Sequence, residues 1–427
     1  MHRYFLFLVL IAAGFFAIDF CNRYAQQKWW IPWLVFSPFA LISVGFGLFI
    51  TATPWWGDFE AAYYPSGYAL QYNLEGLYSN NCVDGFVNVP LVAVLFVPFS
   101  YLDYPIAVGL FTFAGIMALG AACVGLIKLF DLDRRQSLML AGLFVINGPA
   151  FYSIKEANTS HFMLLLLVGM LFLLKYRRDF ALGSLIVLGT LIKVPLGLLG
   201  VYFFMRRRWR TVSGMLVTAV ITAAISLLAF GLEPHMIWLQ QCIAPYAGMP
   251  VAAFNVQSID GFLARLFTDN QLMNWHPLIM DSSFYLVRNG ILGILLFGVT
   301  AVLWRAGKPR CIEEEYLEFS IILCVLLLIF PLSWTHYYVF MLVPFGFYIA
   351  NRTAFPATGY RRVLMLAGIV LVSLPMIGVL GGRGTMAIVA SKVLSSHYFL
   401  AVLLILLLLL AVRKRTASKN IQSAIPP

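Results

Sequence analysis

A single acidic residue, Asp58, opens a polar, aromatic-rich stretch directly after a long apolar run. Its neighbours are Trp55, Trp56, Glu60, Tyr63, Tyr64 and Tyr68. A lone carboxylate in such a setting suits one task, which is to take the proton from a hydroxyl whose oxygen attacks an electrophilic carbon. The rings beside it offer flat faces to a sugar and apolar walls to a lipid chain. Glu60 is a rival for the role of base if Asp58 faces away.

Further polar groups recur at the ends of later apolar runs. They are Lys155, Glu156, Asn158 and His161; then Lys193; then Asn255, Gln257, Ser258, Asp260 and Arg265; and last Ser333, Trp334, Thr335 and His336. Gathered on one side, they place cations and amides around one carboxylate. That set suits sugar transfer from a lipid phosphate. A phosphate leaves as a weak base and needs no protonation, whereas a glycosidase needs a second carboxyl group as acid. Cations can instead stabilise its developing charge. Each group also has a plain structural reading. Asp58 can cap a helix, Lys193 can snorkel to a headgroup region, His336 can end a helix, and Asn255 and Gln257 can bond loop backbone. His161 is read as structural.

The elements that must position these groups are membrane helices. The 427-residue chain is 61% hydrophobic and only 11% charged, against roughly 25% charged in a soluble domain. The excess recurs as apolar runs separated by short polar breaks, which reads as an all-α polytopic membrane protein. The net charge of +11 does not point to nucleic acid, because the basic residues sit in short loops beside apolar runs. The first run, Tyr4 to Phe20, has no small-x-small cleavage site and is expected to be a retained helix.

Most Lys and Arg fall in Arg23–Lys28, Lys128–Arg135, Lys175–Arg178, Arg206–Arg210, Arg305–Arg310, Arg352–Arg362 and Arg413–Lys419. Placing these in the cytoplasm leaves 51–105, 152–161, 232–283, 331–336 and 381–395 outside. Full spans are then expected near 4–20, 31–52, 106–127, 138–151, 162–174, 211–231, 285–304, 316–330, 337–350, 362–380 and 396–412. Pro90 to Leu102 is too short to cross and is expected to lie at the outer interface. Residues 180–204 leave and return to one basic side, so they form a short-helix hairpin with Lys193 near its tip. That lysine must be buried in protein or face a wet cavity. Residues 1–412 thus make one integral-membrane domain of about a dozen membrane segments with outer juxtamembrane helices, and 413–427 a cytoplasmic tail. Glu313-Glu314-Glu315 is expected to be a solvated helix start. Cys82 and Cys242 fall in loops on one outer side; they either pair or serve as small apolar residues.

The ordered motifs Gly57-Asp58-Phe59, Glu75-Gly76-Leu77-Tyr78, Val89-Pro90 with Pro98-Phe99, Lys193-Val194-Pro195, Asn255-Val256-Gln257-Ser258-Ile259-Asp260-Gly261 with Arg265, and Pro331-Leu332-Ser333-Trp334-Thr335-His336 resemble glycosyltransferase family 87. The resemblance covers roughly residues 50–350. It implies a GT-C fold and transfer of a hexose, for example mannose, from a polyprenyl phosphate to a lipid or glycan hydroxyl. Such enzymes include phosphatidylinositol mannoside mannosyltransferases. It further implies inversion, no metal or other cofactor, and a multi-pass place in the inner (plasma) membrane. Asp58 falls where the family has its base, and His336 in the late Ser-Trp-x-His turn. Glu60, Tyr63, Lys155, Lys193, Asn255, Gln257, Arg265 and His336 are the expected substrate-binding residues. One departure stands out: where family members often carry Gly-Gln-x-Asn, this chain reads Ala157-Asn158-Thr159-Ser160-His161. The rival reading, a transporter or flippase for lipid-linked sugar, expects ionisable groups at mid-membrane and paired interrupted helices.

Overall fold

The computed structural model describes residues 56–82, 85–268, 272–350, 359–376 and 385–422. The expected spans 4–20 and 31–52 lie outside these residues. Among the described residues the chain is helical, and its one extended pairing is an isolated bridge between Val256 and Trp334. A π-helical turn, Phe59–Tyr63, leads into α1 (Tyr64–Tyr72). A broken apolar helix, α2 (Pro90–Ser100), follows, then α3 (Tyr104–Phe130). Next come α4 (Arg134–Ile146), α5 (Gly148–Lys155), α6 (Ser160–Lys175), α7 (Asp179–Ile192), α8 (Gly197–Met205) and α9 (Trp209–Phe230). The second half holds α10 (Glu233–Ile237), α11 (Ile259–Phe267), α12 (Ser282–Arg305), α13 (Ile312–Ile329), α14 (Leu342–Ala350), α15 (Tyr360–Ser373), α16 (Thr385–Leu394) and α17 (His397–Gln422).

Among the described residues four helices, α3, α9, α12 and α17, are long and apolar enough to cross a membrane; the pair α4 and α5, bent by 46°, makes a fifth if it is one span. This is a helical membrane protein. The expected spans near 162–174 and 362–380 correspond to shorter helices, α6 and α15. The expected span 337–350 begins instead as a 3-10 helix, Thr335–Met341, before α14.

The hairpin at 180–204 forms as the basic loops require. α7 ends at Lys193, a 3-10 turn Val194–Leu196 follows, and α8 returns. With 14 residues, α7 is about 21 Å long, too short to span a 30 Å core. α7 packs tightly on α9 through reciprocal glycines. A Cβ at Gly183 would sit 2.0 Å from the Thr211 carbonyl oxygen, and one at Gly214 would sit 2.1 Å from that of Phe180. In a membrane such close backbone approach supplies the packing that water-driven burial supplies elsewhere.

The end of the molecule away from Lys193 is tied by ion pairs. Arg206 bonds both oxygens of the buried Glu318, Arg413 Nε donates to Glu318 at 2.8 Å, and the Tyr202 hydroxyl donates at 2.7 Å. Arg208 joins Asp179 at 2.7 Å and Glu315 at 3.0 Å, Arg177 also meets Glu315, and Arg413 meets Glu314 at 3.3 Å. The expectation of a solvated Glu313-Glu314-Glu315 is thus corrected. Glu314 and Glu315 are buried because four arginines from three separate basic segments converge on the first turns of α13. The same contacts put 177, 206–208 and 413 at one end, as the charge pattern requires.

Cys82 and Cys242 form a disulfide with Cα atoms 5.2 Å apart. It ties the segment after α1 to the π turn Trp238–Ile243, where Trp238 Nε1 also donates to the Val87 carbonyl at 3.0 Å.

Replacing Glu318 by Ala leaves two arginines without their shared buried partner. Loss of one member of a buried ion pair costs about 3–5 kcal/mol, so thermal unfolding in detergent is expected to begin well below the wild-type temperature. An unchanged midpoint would contradict this reading of the ion-pair end.

Candidate active site

Asp58 is placed by a short backbone pairing. The amide N–H of Trp56 donates to the Lys155 carbonyl at 2.7 Å, and that of Asp58 to the Glu156 carbonyl at 3.1 Å. The pairing needs Gly57 between them, since a Cβ there would lie 2.8 Å from a Glu156 carboxylate oxygen. Asp58 has helical φ and ψ and makes no capping bond with its side chain. Its carboxylate instead accepts from the Asn158 amide. The wide π turn that follows turns Phe59 and Tyr63 into an aromatic cluster and leaves Glu60 exposed. π turns of this kind often mark functional sites.

Tyr63 is buried and stacks on Phe96, with ring centroids 4.5 Å apart. Its hydroxyl lies 3.3 Å from Asn158 Nδ2 and 3.4 Å from Thr159 Oγ1. Lys193 comes from the hairpin tip. Asn88 fixes that tip, donating from its amide to the carbonyls of Leu191 at 3.2 Å and Ile192 at 2.7 Å. The Lys193 ammonium sits 4.7 Å from the Tyr337 ring centre and acts electrostatically on Asp58, His161 and His336.

His336 reaches the same region because 255–257 pairs with 333–335. Gln257 N–H donates to the Ser333 carbonyl at 2.7 Å, and Thr335 N–H to that of Asn255 at 2.9 Å. The His336 ring is buried between Tyr152, centroid 6.3 Å away, and Tyr337, 5.0 Å away. Neither ring nitrogen of His336 has a hydrogen-bond partner within the protein. A buried imidazole with both nitrogens open is costly unless something fills the place. Asn255 lies next in the row, with its amide 3.5 Å from the Tyr152 hydroxyl and its side-chain oxygen accepting from Trp275 at 2.9 Å. Lys155 pairs with Glu156 at 2.7 Å and stands 5.4 Å from the Tyr152 ring centre, at the more exposed rim.

The structure therefore brings together Asp58, Tyr63, Lys193 and His336, with Lys155 and Asn255 at their edge. It does not bring in Gln257 or Arg265. Both amide ends of Gln257 are used: Nε2 donates to the Phe254 and Ser395 carbonyls, and Oε1 accepts from Phe399 N–H. Arg265 donates to the carbonyls of Ala253 and Val256 and to Ser396 Oγ. Both are clamps that hold segment 253–257 against the turn between α16 and α17, with both amide hydrogens of Gln257 and four of the five N–H donors of Arg265 spent there. His161 has Nδ1 2.9 Å from Ser153 Oγ, and its buried Nε2 has no hydrogen-bond partner within the protein. Two contributors were not among the expected site residues, Asn158 and Asn88. Asn158 stands in the stretch that departs from the family pattern, and Asn88 precedes the Val89-Pro90 motif.

Burial pushes the Asp58 carboxyl up from its ordinary 3.8 to about 6, while the Asn158 amide and then the Lys193 charge pull it down, and nearby Glu156 adds to the rise. At neutral pH the group is mostly ionised yet strongly basic for a carboxylate, which suits a general base.

In this helical scaffold the charge of Lys193 acts both on the Asp58 carboxylate and on His336, whose ring nitrogens are open. A model of glycosyltransferase family 87 matches residues 86–331, more than half of the chain, and the chain belongs to that family. It is therefore a glycosyltransferase. No curated protein and no solved structure matches it. Lys155, Lys193, Asn255, Gln257 and Arg265 lie inside the matched stretch, and Asp58 and His336 flank it.

The raised carboxyl pKa has a consequence for stability. The folded protein holds the Asp58 proton between about pH 4 and pH 6, where free aspartate has lost it. The ionised group is thus a cost at neutral pH that disappears as pH falls through 6 towards 4. Asp58→Asn is expected to stabilise the fold by about 1–2 kcal/mol at pH 7 and by nothing at pH 4, read from unfolding midpoints at the two pH values. A gain that is equal at both would show that the carboxyl is not perturbed.

Proposed function

We propose that the protein transfers a hexose from a polyprenyl phosphate carrier to a hydroxyl of a lipid or glycan at the outer face of the inner membrane. The observation that carries this reading is the contact set around Asp58: one carboxylate base, with the Lys193 ammonium and the two open nitrogens of His336 across from it. The acceptor hydroxyl gives its proton to Asp58 as its oxygen bonds to the anomeric carbon. The bond from that carbon to the phosphate oxygen breaks, and the polyprenyl phosphate leaves as an anion beside Lys193 and His336. One displacement inverts the anomeric centre. Lys155 at the rim is placed to meet the donor's charge on entry, and Tyr152 and Tyr337 supply ring faces for the sugar. Mannose is our choice of sugar, on the family resemblance alone.

Two features support the outward direction of the site. The disulfide between Cys82 and Cys242 needs an oxidising compartment. The arginine-rich end lies opposite, where a cytoplasmic face carries basic loops.

Membranes bearing the wild-type chain are expected to move label from a polyprenyl-phosphate-linked hexose into an acceptor, and Asp58→Asn to do so at least about a hundredfold more slowly, the lower range for loss of a general base. Equal transfer by both would remove Asp58 as base. Translocation of the lipid-linked sugar without transfer would favour a flippase.

A further inference from the structure

Asn158 bonds the Asp58 carboxylate and lies beside the Tyr63 hydroxyl. It is buried, it follows Ala157 at φ +47°, and its own N–H is tied to the Ser153 carbonyl at 2.9 Å. Its side-chain oxygen accepts twice from Ser160, from the backbone N–H and from Oγ, both at 2.9 Å. These contacts decide which way the amide faces, since the flipped amide would set its NH2 against the Ser160 backbone N–H and its oxygen against the Asp58 carboxylate. The NH2 group is thereby aimed at Asp58, with the Tyr63 hydroxyl 3.3 Å away as its second neighbour.

We propose that Asn158, locked by Ser160, is a positioning residue that holds the Asp58 carboxylate ionised and turned towards the acceptor hydroxyl. This rests on the reading of Asp58 as base. An amide NH2 bonds a carboxylate and cannot bond the OH of a carboxylic acid in the same way, so it favours the charged form. It also fixes one carboxylate oxygen and leaves the other for the incoming proton. Asn158 itself touches no reacting atom. The remaining charged and titratable groups that act on Asp58 are Lys193 from the hairpin tip, Lys155 and Glu156 from the end of α5, and the hydroxyls of Tyr63, Tyr152 and Tyr337. Each of these stays in place when Asn158 is replaced.

The test is the pH dependence of kcat for sugar transfer in wild type, Asn158→Ala and Ser160→Ala, with folded yield followed by size-exclusion chromatography. A hydrogen bond to a charged group is worth on the order of one pH unit in the carboxyl's titration. The acidic limb of the Asn158→Ala profile is expected to move up by about that amount, so that activity falls about fivefold at pH 6 and recovers towards the wild-type value by pH 8, with KM unchanged. Ser160→Ala keeps the backbone donor and is expected to show a smaller shift in the same direction. If Asn158→Ala does not accumulate folded protein, the Ser160→Ala limb decides. A uniform loss with an unmoved limb, a changed KM with an unmoved limb, or a wild-type profile would each overturn the proposal. Asp58→Asn in the same assay separates the two ideas. If it is active, Asp58 is not the base at all; if it is inactive while both other variants behave as wild type, only the role of Asn158 fails.

Discussion

Holding a carboxylate away from water without neutralising it is the constraint on which this structure turns. An unaided aspartate at that depth would take up a proton or swing out to solvent. The chain meets the constraint by docking 155–158 onto 56–58, with two backbone hydrogen bonds that seat Asp58 and one amide that bonds its side chain. The lysine opposite is held in turn by Asn88 at the end of α7, and the histidine by the pairing of 255–257 with 333–335. Each reactive group thus rests on a neighbour that is distant in sequence.

The rest of the molecule keeps these separate pieces in register. The disulfide joins the segment that carries Asn88 to the one that carries Trp238, beside the hairpin tip. At the far end, Glu314, Glu315 and Glu318 gather Arg177, Arg206, Arg208 and Arg413, so the roots of α7, α8, α9, α13 and α17 are bound together. α13 lies between the two ends almost wholly inside the protein. Buried charge at one end and a perturbed carboxylate at the other are different uses of the same low-dielectric interior. In the first set each charge meets an opposite one and the set gives shape; in the second both His336 nitrogens are left open, where the proposed transfer would take place.

Much of this was legible from residue order. Basic loops spaced about 25 residues apart, on the rule that they share a side, imply the hairpin and put Lys193 at its tip, where the structure has it. Asp58, Tyr63 and His336 stood out by type and position, and they do meet. The plain reading of Asp58 as a helix cap does not hold, because its side chain bonds Asn158 instead. What could not be read was how polar side chains would be spent. Gln257 and Arg265 have the chemistry of ligand binders, yet nearby carbonyls and Ser396 consume their donors. Glu314 and Glu315 look like a wet helix start until arginines about 100 to 140 positions away converge on them. Asn158 and Asn88 gain their importance only from partners roughly a hundred residues distant.

On the proposed reading Asp58 takes a proton and forms no bond to the sugar, so transfer is a single displacement. The most direct test is the anomeric configuration of the product compared with that of the lipid-linked donor, read by NMR after transfer by the wild-type chain. This account predicts the opposite configuration. A product of retained configuration would require a second displacement and a nucleophile on the protein, and would contradict Asp58 as the base of a single step.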